Sequence, residues 1–291
     1  MSAAREISPA LRGIACVAGA CLLLTMADAF AKLLTETLPV MEIALLRSTV
    51  ALVPILVIAR FYGPFSSLRT RHPGKQMLRG FLIIGSYTCF LLAIQALPLA
   101  ETASVFFSAP LLIAGLSPLV LREKVPLHRW IAICIGFAGV LVIMRPGTES
   151  FRPEALFALG SAVLYALGAL MARRLGAIDP PATTSFYTGL CFLLVSGPFT
   201  LGVPGYWVTP DWTAIGYVTV CGLIAGTGHF LLIQGYRLGE ASVVAPFEYS
   251  TLLWSVMLGF AIWGDLPTWW TLGGVVLVAA SGLYVLRTER R

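Results

Sequence analysis

Ten long apolar runs, separated by short segments that contain glycine, proline and charged residues, constrain this sequence more than any other feature. Each run is close to the roughly 20 residues that an α-helix needs to cross a bilayer. None shows the alternation of apolar and polar residues that marks the strands of a membrane barrel. The sequence therefore predicts an all-α, polytopic membrane protein with ten transmembrane helices. The predicted spans, numbered 1 to 10 in chain order, are 10–34, 40–62, 76–97, 101–121, 127–144, 154–174, 182–202, 212–235, 241–263 and 268–286.

The composition leaves no room for a sizeable water-soluble domain. Of the 291 residues, 58% are hydrophobic and only 12% are charged, whereas soluble domains carry about 25% charged residues. So few charged side chains cannot cover a soluble globule. The six cysteines lie inside the apolar runs, away from any spacing typical of metal ligands. We therefore expect neither a disulfide framework nor a zinc site.

The two halves of the chain match each other in register. Four residues recur 139 positions later in the sequence: Ile94, Gln95, Leu99 and Glu101. Four others recur 141 positions later, with arginine in place of the lysine: Gly19, Ala31, Lys32 and Pro39. We therefore predict two five-helix repeats, residues 1–149 and 150–291. Because five is an odd number, the second repeat enters the membrane from the opposite side, and such inverted repeats are typical of alternating-access carriers.

Basic residues fall mostly on one side of the predicted spans. If the N-terminus is cytoplasmic, 16 of the 20 lysines and arginines lie on the inner side, which is the positive-inside signature. This count includes five on the connection after span 2: Arg60, Arg69, Arg71, Lys75 and Arg79. We predict a multi-pass protein of the bacterial inner membrane with both termini in the cytoplasm. Topology also accounts for the net charge of +6, so the expected partners are the lipid bilayer and a small-molecule substrate rather than nucleic acid. The sequence is compatible with a monomer.

Motifs of soluble enzymes are missing from the sequence. There is no G-x-x-x-x-G-K-[ST] loop for ATP phosphates, no H-E-x-x-H zinc motif and no G-x-S-x-G nucleophile elbow. We therefore expect no enzyme activity, no catalytic residue, no metal and no cofactor. The contrasting interpretation is an intramembrane enzyme that uses Asp28, His229 and Glu248, but that interpretation does not explain the repeat.

Spans 4 and 9, which correspond in the repeat, each carry a proline in their first half, Pro110 and Pro246. Proline removes a backbone hydrogen bond and kinks a helix. Matched interrupted spans are a pointer to the binding site of a transporter. The alternative is that both prolines only shape the helices, since proline is common in membrane spans.

Three charged residues stand out away from the ends of spans 1 and 2. Asp28 and Lys32 are one helical turn apart, and a hairpin brings Arg47 of span 2 to a similar depth. Because ionisable groups in hydrocarbon are costly, they usually pair or face a cavity. We interpret this trio as a structural ion cluster. The alternative is that Lys32 or Arg47 binds a substrate carboxylate.

His229 and Glu248 form the sharpest residue-level hypothesis. Each lies about ten residues from the turn between spans 8 and 9, so the hairpin can hold them at one depth. Their repeat counterparts are Phe90 and Pro110, so this polar pair exists in one half only. Contact with an asymmetric substrate explains such asymmetry, and the alternative is that each residue meets a backbone group or water.

The remaining candidates are aromatic or polar side chains inside the spans. Aromatic residues that line a cavity suit a substrate with an aromatic body. Gln95 and Gln234 correspond to each other in the repeat. An equal interpretation is that they form hydrogen bonds between helices rather than contacts with a substrate. The full set of predicted substrate-binding residues is Tyr87, Gln95, Phe107, Ser108, Tyr165, His229, Gln234, Glu248 and Tyr249.

The chain resembles the EamA family of the drug/metabolite transporter superfamily over about residues 10–286. The patterns of the first half are Phe30-Ala31-Lys32, Pro39, Leu46-Arg47, Leu99-Ala100-Glu101, Pro110 and Arg122-Glu123. Those of the second half are Leu238-Gly239-Glu240, Pro246 and Gly264-Asp265, where the family usually has Gly-Glu.

This resemblance implies a secondary transporter that exports small metabolites by alternating access. Amino acids, including aromatic ones, are the expected substrates, because the length and the aromatic-rich spans look most like the YddG-type branch of amino-acid exporters. Another metabolite class, such as a nucleotide sugar, a purine or a drug-like compound, is the alternative. The resemblance also implies a central cavity lined by spans 1, 3, 4, 6, 8 and 9.

Overall fold

The computed structural model describes residues 9–62, 69–121, 126–148, 151–175, 179, 181–238 and 245–288. Within these ranges the chain forms α-helices, one 3-10 turn and no strand, which confirms the all-α fold. The helices are α1 (Pro9–Leu34), α2 (Val40–Tyr62), α3 (Pro73–Ala96), α4 (Leu99–Phe106), α5 (Ala109–Leu121), α6 (Leu127–Met144), α7 (Ala155–Leu175), α8 (Pro181–Gly202), α9 (Trp212–Leu238), α10 (Ser250–Trp263) and α11 (Trp269–Thr288). The 3-10 turn is Ala245–Tyr249.

Each predicted span corresponds to one helix or one interrupted helix. Span 4 consists of α4 and α5, and the described part of span 9 consists of the 3-10 turn followed by α10. By length and composition alone, 7 of the helical segments can cross a membrane, and two shorter apolar helices lie at Trp130–Met144 and Trp269–Tyr284. The predicted boundary between the repeats, at residues 149–150, lies outside the described residues.

The two halves interlock rather than fold side by side. The principal packing partners are α1 with α9, α3 with α7, α2 with α8, and α6 with α11. Every one of these pairs joins a helix of the first half to a helix of the second. In the repeat, α1 corresponds to α7 and α9 corresponds to α3, so the α1–α9 pair is the counterpart of the α3–α7 pair. The helices α2 and α8 correspond to each other, as do α6 and α11, so each of these two pairs joins a helix to its own counterpart. This is the arrangement that two inverted five-helix repeats produce.

Small residues allow these helices to approach closely. Without a hydrophobic driving force between helices in lipid, association depends on van der Waals packing, and small residues maximise it. Alanines fill the buried face of α1, for example Ala20 and Ala27, and that of α7, for example Ala158 and Ala162. Large side chains such as Leu34 of α1 and Leu170 of α7 are fully buried beside them.

Interfacial tryptophans mark one end of the bundle. Trp212 and Trp269 open α9 and α11 and are 89% and 87% exposed. Tryptophan is enriched at the membrane–water interface, where its amphipathic ring sits at the headgroup level. Both helices begin at the same end of the bundle, which the sequence predicts to be the outer one.

The interruption of span 4 falls just before Pro110. The amides of Phe107 and Ser108 still bond to Ala103 and Val105, at 2.9 and 3.0 Å, and α5 then starts at Ala109. Because Pro110 has no N–H, the helix cannot continue its hydrogen-bond ladder through this point. In span 9, Pro246 is the second residue of the 3-10 turn that precedes α10.

Candidate functional site

A row of three aromatic rings crosses the middle of the bundle. Phe90 of α3 contacts Phe106 of α4 edge to face at 5.5 Å between ring centroids. Phe106 in turn contacts Tyr165 of α7 at 5.3 Å. The side chain of Tyr165 is 39% exposed, even though its ring packs against Phe106 of another span. We interpret this exposed fraction as facing a space inside the bundle, which the row of rings borders.

A second aromatic pair lies at the two interrupted spans. Phe107, the residue after α4, contacts Tyr249 of the 3-10 turn at 5.3 Å between centroids. Tyr249 packs over Gly282 of α11, where a Cβ atom would collide with the tyrosine hydroxyl. Ser108 is fully buried between the two segments of span 4. The predicted residues Phe107, Ser108 and Tyr249 therefore surround the interruptions.

Arg47 and Tyr87 form a cation–π contact between α2 and α3. The guanidinium carbon of Arg47 lies 4.4 Å from the centroid of the Tyr87 ring, and Tyr87 also contacts Phe192 of α8 at 5.6 Å. Asp28 of α1 is within electrostatic range of Arg47. Two members of the predicted ion cluster, Asp28 and Arg47, are thus near each other, and Arg47 also engages an aromatic ring.

Lys32, the third member of the predicted cluster, has different partners. Its Nζ donates a hydrogen bond to the carbonyl of Leu97 at 2.8 Å and lies 3.9 Å from a carboxylate oxygen of Asp265. The same ammonium group sits 4.8 Å from the ring centroid of Trp263. Long lysine side chains near a helix end extend towards the interface, and here Lys32 reaches the ends of spans 3 and 9 instead of turning back to Asp28.

A glycine in the left-handed backbone conformation precedes Asp265 and places it within reach of Lys32. Gly264 ends α10 with a φ of 73°, a conformation that glycine adopts without steric cost. Its amide bonds to Phe260, and the amide of Asp265 bonds to Gly259 at 3.2 Å. The Lys32 contacts therefore tie together span 1, the connection between spans 3 and 4, and the end of span 9.

His229 of α9 has two cations among its electrostatic neighbours. Although it lies in the middle of a span, its side chain is exposed, and its electrostatic neighbours are Arg47 and Arg79. Glu248 acts electrostatically on Tyr165 and Tyr249. These groups come from five elements: α2, α3, α7, α9 and the 3-10 turn. Direct pairing of His229 with Glu248 stays a prediction.

The two glutamines lie near the ends of their helices. Gln95 is in the last turn of α3, and its side-chain amide donates to the carbonyl of Thr35 at 3.3 Å. Gln234 is half-buried in the last turns of α9. Gln95 thus links α3 to the connection between spans 1 and 2 by a hydrogen bond, which fits its interpretation as a polar contact between helices. Neither glutamine is part of the aromatic row.

Arg79 is a candidate residue that the sequence interpretation missed. It was counted with the basic connection after span 2, but it lies inside α3, where its Nη1 donates to Thr188 of α8 at 2.6 Å. The signal that identifies it is the repeat: its counterpart 139 positions later is Val218. The same asymmetry argument that singled out His229 and Glu248 applies to Arg79.

Comparison with known proteins agrees with this architecture. The model of the EamA-like transporter family matches residues 11–145 and, a second time, residues 152–287. The chain belongs to this family. The double match coincides with the two halves whose helices exchange partners in the fold. This EamA-like transporter is therefore a multi-pass membrane protein of the drug/metabolite transporter type, as its sequence patterns indicate.

Two relatives whose names state a substrate align with most of the chain of this transporter. The S-adenosylmethionine uptake transporter of Rickettsia prowazekii is 26% identical over 267 residues, which are 91% of this chain and 88% of the relative. The riboflavin transporter of Vibrio cholerae is 30% identical over 261 residues, or 87% of this chain and 85% of the relative. A solved crystal structure, 21% identical, superposes with a TM-score of 0.66 over 94% of this chain and 96% of that chain. This last similarity supports the fold alone.

Proposed function

We propose that this EamA-like transporter carries small metabolites with a flat aromatic or heteroaromatic ring across the bacterial inner membrane, by alternating access. The observation that carries the proposal is the row of Phe90, Phe106 and Tyr165, whose rings come from three spans. Offset or edge-to-face packing against such rings stabilises another ring by about 0.5–1.5 kcal/mol beyond its burial. An aromatic substrate can therefore insert beside Phe106.

The relatives support a ring-bearing substrate without naming it. S-adenosylmethionine and riboflavin, the compounds in the names of two relatives, both contain fused nitrogen heterocycles. Aromatic amino acids, which the sequence resemblance implies as exported substrates, also carry a flat ring. The common chemistry is the ring, and the direction of net transport follows the gradient of the substrate and of any coupled ion.

The proposal is tested in proteoliposomes with labelled tryptophan, S-adenosylmethionine and riboflavin, and with labelled sucrose as a compound without a ring. We expect at least one ring compound to move and sucrose not to move. The variant Phe106→Ala should reduce transport of that compound about tenfold, because it removes a ring that two others contact. Phe260→Ala is the matched control, since Phe260 on α10 is 55% exposed. Movement of sucrose alone would refute the proposal.

The orientation follows from the placement of basic residues, and we propose that both termini lie in the cytoplasm. In a background in which the six native cysteines are replaced, a cysteine at Ser67 should react only with reagents that reach the cytoplasm. A cysteine at Ser150 should react with impermeant reagents added outside. Both positions lie outside the described residues. The reverse labelling pattern would invert the proposed topology.

A further inference from the structure

Three polar side chains join the end of α1 to the ends of two other spans. The Nζ of Lys32 donates a hydrogen bond to the carbonyl of Leu97, directly after α3, at 2.8 Å and lies 3.9 Å from a carboxylate oxygen of Asp265, just after α10. The side-chain amide of Gln95 donates in the opposite direction, to the carbonyl of Thr35 just after α1, at 3.3 Å. We call Lys32, Gln95 and Asp265 the latch. All of its contacts lie at one end of the bundle, which the proposed topology places on the outer side.

The latch connects the two helix pairs that correspond to each other in the repeat. The principal partner of α1 is α9 and that of α3 is α7, whereas α1 and α3 are not principal partners of each other. The hydrogen bonds of Lys32 and Gln95 cross from one pair to the other, and each ends on a main-chain carbonyl. When these bonds break, the two pairs can therefore separate at this end without disruption of the interface inside either pair.

An apolar cluster closes the bundle beside the latch. Leu34 of α1 and Leu91 and Ile94 of α3 are fully buried in this cluster. The side chain of Lys32 is 12% exposed, and a charge next to hydrocarbon is costly unless it is paired. The carboxylate of Asp265 supplies the paired charge. This end of the bundle is therefore closed in the structure.

Tyr165 lies deeper in the bundle than the latch. Arg152, in the connection before α7, donates to the carbonyl of Ala96 at 3.1 Å, so α7 starts at the end where the latch lies. Tyr165 comes ten residues after Ala155, the first residue of α7, which is about 15 Å along the helix. Its side chain is nevertheless 39% exposed. The latch and the apolar cluster thus lie between this ring and the outer end.

The internal repeat retains the chemistry of the latch. Each member has a counterpart of the same kind in the other half, at offsets of 141, 139 and 142: Lys32 and Arg173, Gln95 and Gln234, and Glu123 and Asp265. Arg173 and Glu123 are compared by sequence only, because their side chains lie outside the described residues. Residues that serve the exchange of conformations between inverted repeats are needed in both halves, and the members of the latch meet this condition.

We propose that the latch holds the outer end of the transporter closed and opens once in each transport cycle. Lys32 then leaves Leu97 and Asp265, and the α1–α9 and α3–α7 pairs separate at this end. The inference rests on the proposed function, because alternating access requires each end to close in turn, and it names the residues that close one of them. It assigns Lys32 to closure rather than to binding of a substrate carboxylate.

The first test measures opening of the outer end and does not depend on the substrate. Tyr165→Cys is the reporter in a background without the native cysteines, and an impermeant thiol reagent is added to intact cells or to inverted vesicles. Because hydrogen bonds from charged groups are among the stronger ones, Lys32→Ala should raise the rate of labelling from outside about tenfold or more. The rate of labelling from the cytoplasmic side should fall.

Glu36→Gln is the matched control for the labelling test. Glu36 is exposed and within electrostatic range of Lys32, but it makes no ion pair within the described residues, so both labelling rates should stay at the parental level. Gln95→Ala, which removes one hydrogen bond of the latch, should raise labelling from outside less than Lys32→Ala does. The melting temperature is measured for each variant. A lower melting temperature of Lys32→Ala with unchanged labelling would identify a static brace and overturn the proposal.

The second test closes the latch covalently. Lys32→Cys and Asp265→Cys are combined and bridged by a bifunctional methanethiosulfonate reagent about as long as the two side chains that it replaces. Bridging should stop transport of the ring compound that the parental protein carries in proteoliposomes, and reduction should restore it. Methyl methanethiosulfonate, which modifies the same cysteines without bridging them, is the control and should leave transport of the double variant unchanged. Full transport by the bridged protein would overturn the proposal.

The outcomes separate the latch from the proposed function. If no ring compound moves in the parental protein, the proposed function falls, while labelling of the cysteine at position 165 still tests the latch. If a ring compound moves but Lys32→Ala lowers its transport without changing either labelling rate, Lys32 acts on the substrate and the latch is overturned. If Lys32→Ala raises labelling from the cytoplasmic side instead, the assignment of the latch to the outer end is wrong.

Discussion

The interface between α1 and α9 and the interface between α3 and α7 are related by the repeat, but their chemistry differs. At the offsets of 139 and 141, Ala225 and Ala20 of the first interface correspond to Ser86 and Ser161 of the second. Both alanines are buried, while Ser86 donates to the carbonyl of Ser161 at 2.9 Å. The duplication has preserved how the helices pack and has changed what they present to one another.

Glycine contacts differ between the two interfaces in a similar way. A Cβ added to Gly235 of α9 would lie 2.5 Å from the Cγ2 methyl of Val17, 3.0 Å from the carbonyl oxygen of Gly13 and 3.2 Å from the amide nitrogen of Val17. A Cβ added to Gly168 of α7 would meet only side-chain atoms, the nearest being the terminal methyl of Ile83 at 2.7 Å. The contact at Gly235 thus includes main-chain atoms of α1, whereas the contact at Gly168 consists of side chains that can adjust. We infer that α1–α9 is the more rigid of the two.

The largest expected effect comes from breaking the backbone contact of α1–α9. Gly235→Ala places a methyl group against the main chain of α1, which cannot move without shifting the helix, and overpacking of this kind costs about 1–3 kcal/mol. We expect a clear fall in the melting temperature in detergent and a lower yield of folded protein.

Gly216→Ala on the same helix is the matched control, because a Cβ there meets nothing within 4 Å. Alanine is also a better helix former than glycine. The control should keep or slightly raise the melting temperature. If Gly235→Ala is as stable as Gly216→Ala, the close contact of α1 and α9 does not limit stability.

An intermediate effect is expected at Gly168 in the α3–α7 interface. Gly168→Ala requires only a rotamer change of Ile83, so its cost should stay below about 1 kcal/mol. The comparison is made by thermal unfolding of Gly168→Ala and Gly235→Ala in the same detergent. A larger loss for Gly168→Ala would reverse the order of rigidity that we infer for the two interfaces.

The smallest expected effect comes from removing the hydrogen bond of α3–α7. Ser86→Ala leaves the Ser161 hydroxyl, at 3.1 Å from Ser86 Oγ, without this partner, and hydrogen bonds between membrane helices average about 0.6 kcal/mol. A double-mutant cycle with Ser161→Ala measures the coupling. Since the repeat places Ala20 and Ala225 at these positions, the double variant should fold with near-parental stability. Loss of folding in the double variant would show that the two serines are essential.

Several features of the molecule could be predicted from the sequence alone. The bounds of α2 and α6 agree with the predicted spans 40–62 and 127–144, and the interrupted spans 4 and 9 were indicated by Pro110 and Pro246. This succeeds because hydrocarbon requires every backbone polar group to bond within its own helix, so the length of an apolar run fixes the span. The repeat and the family follow from the same one-dimensional pattern.

Only the tertiary structure decided which side chains meet. The sequence placed Lys32 with Asp28, one turn away, but the folded chain directs it to Asp265, far along the sequence. Arg79 looked like part of a basic connection, yet α3 turns it towards Thr188. Rotation of a helix about its axis is set by close packing against helices of the other half. Hydropathy determined the spans, and packing between the halves determined which residues face the interior.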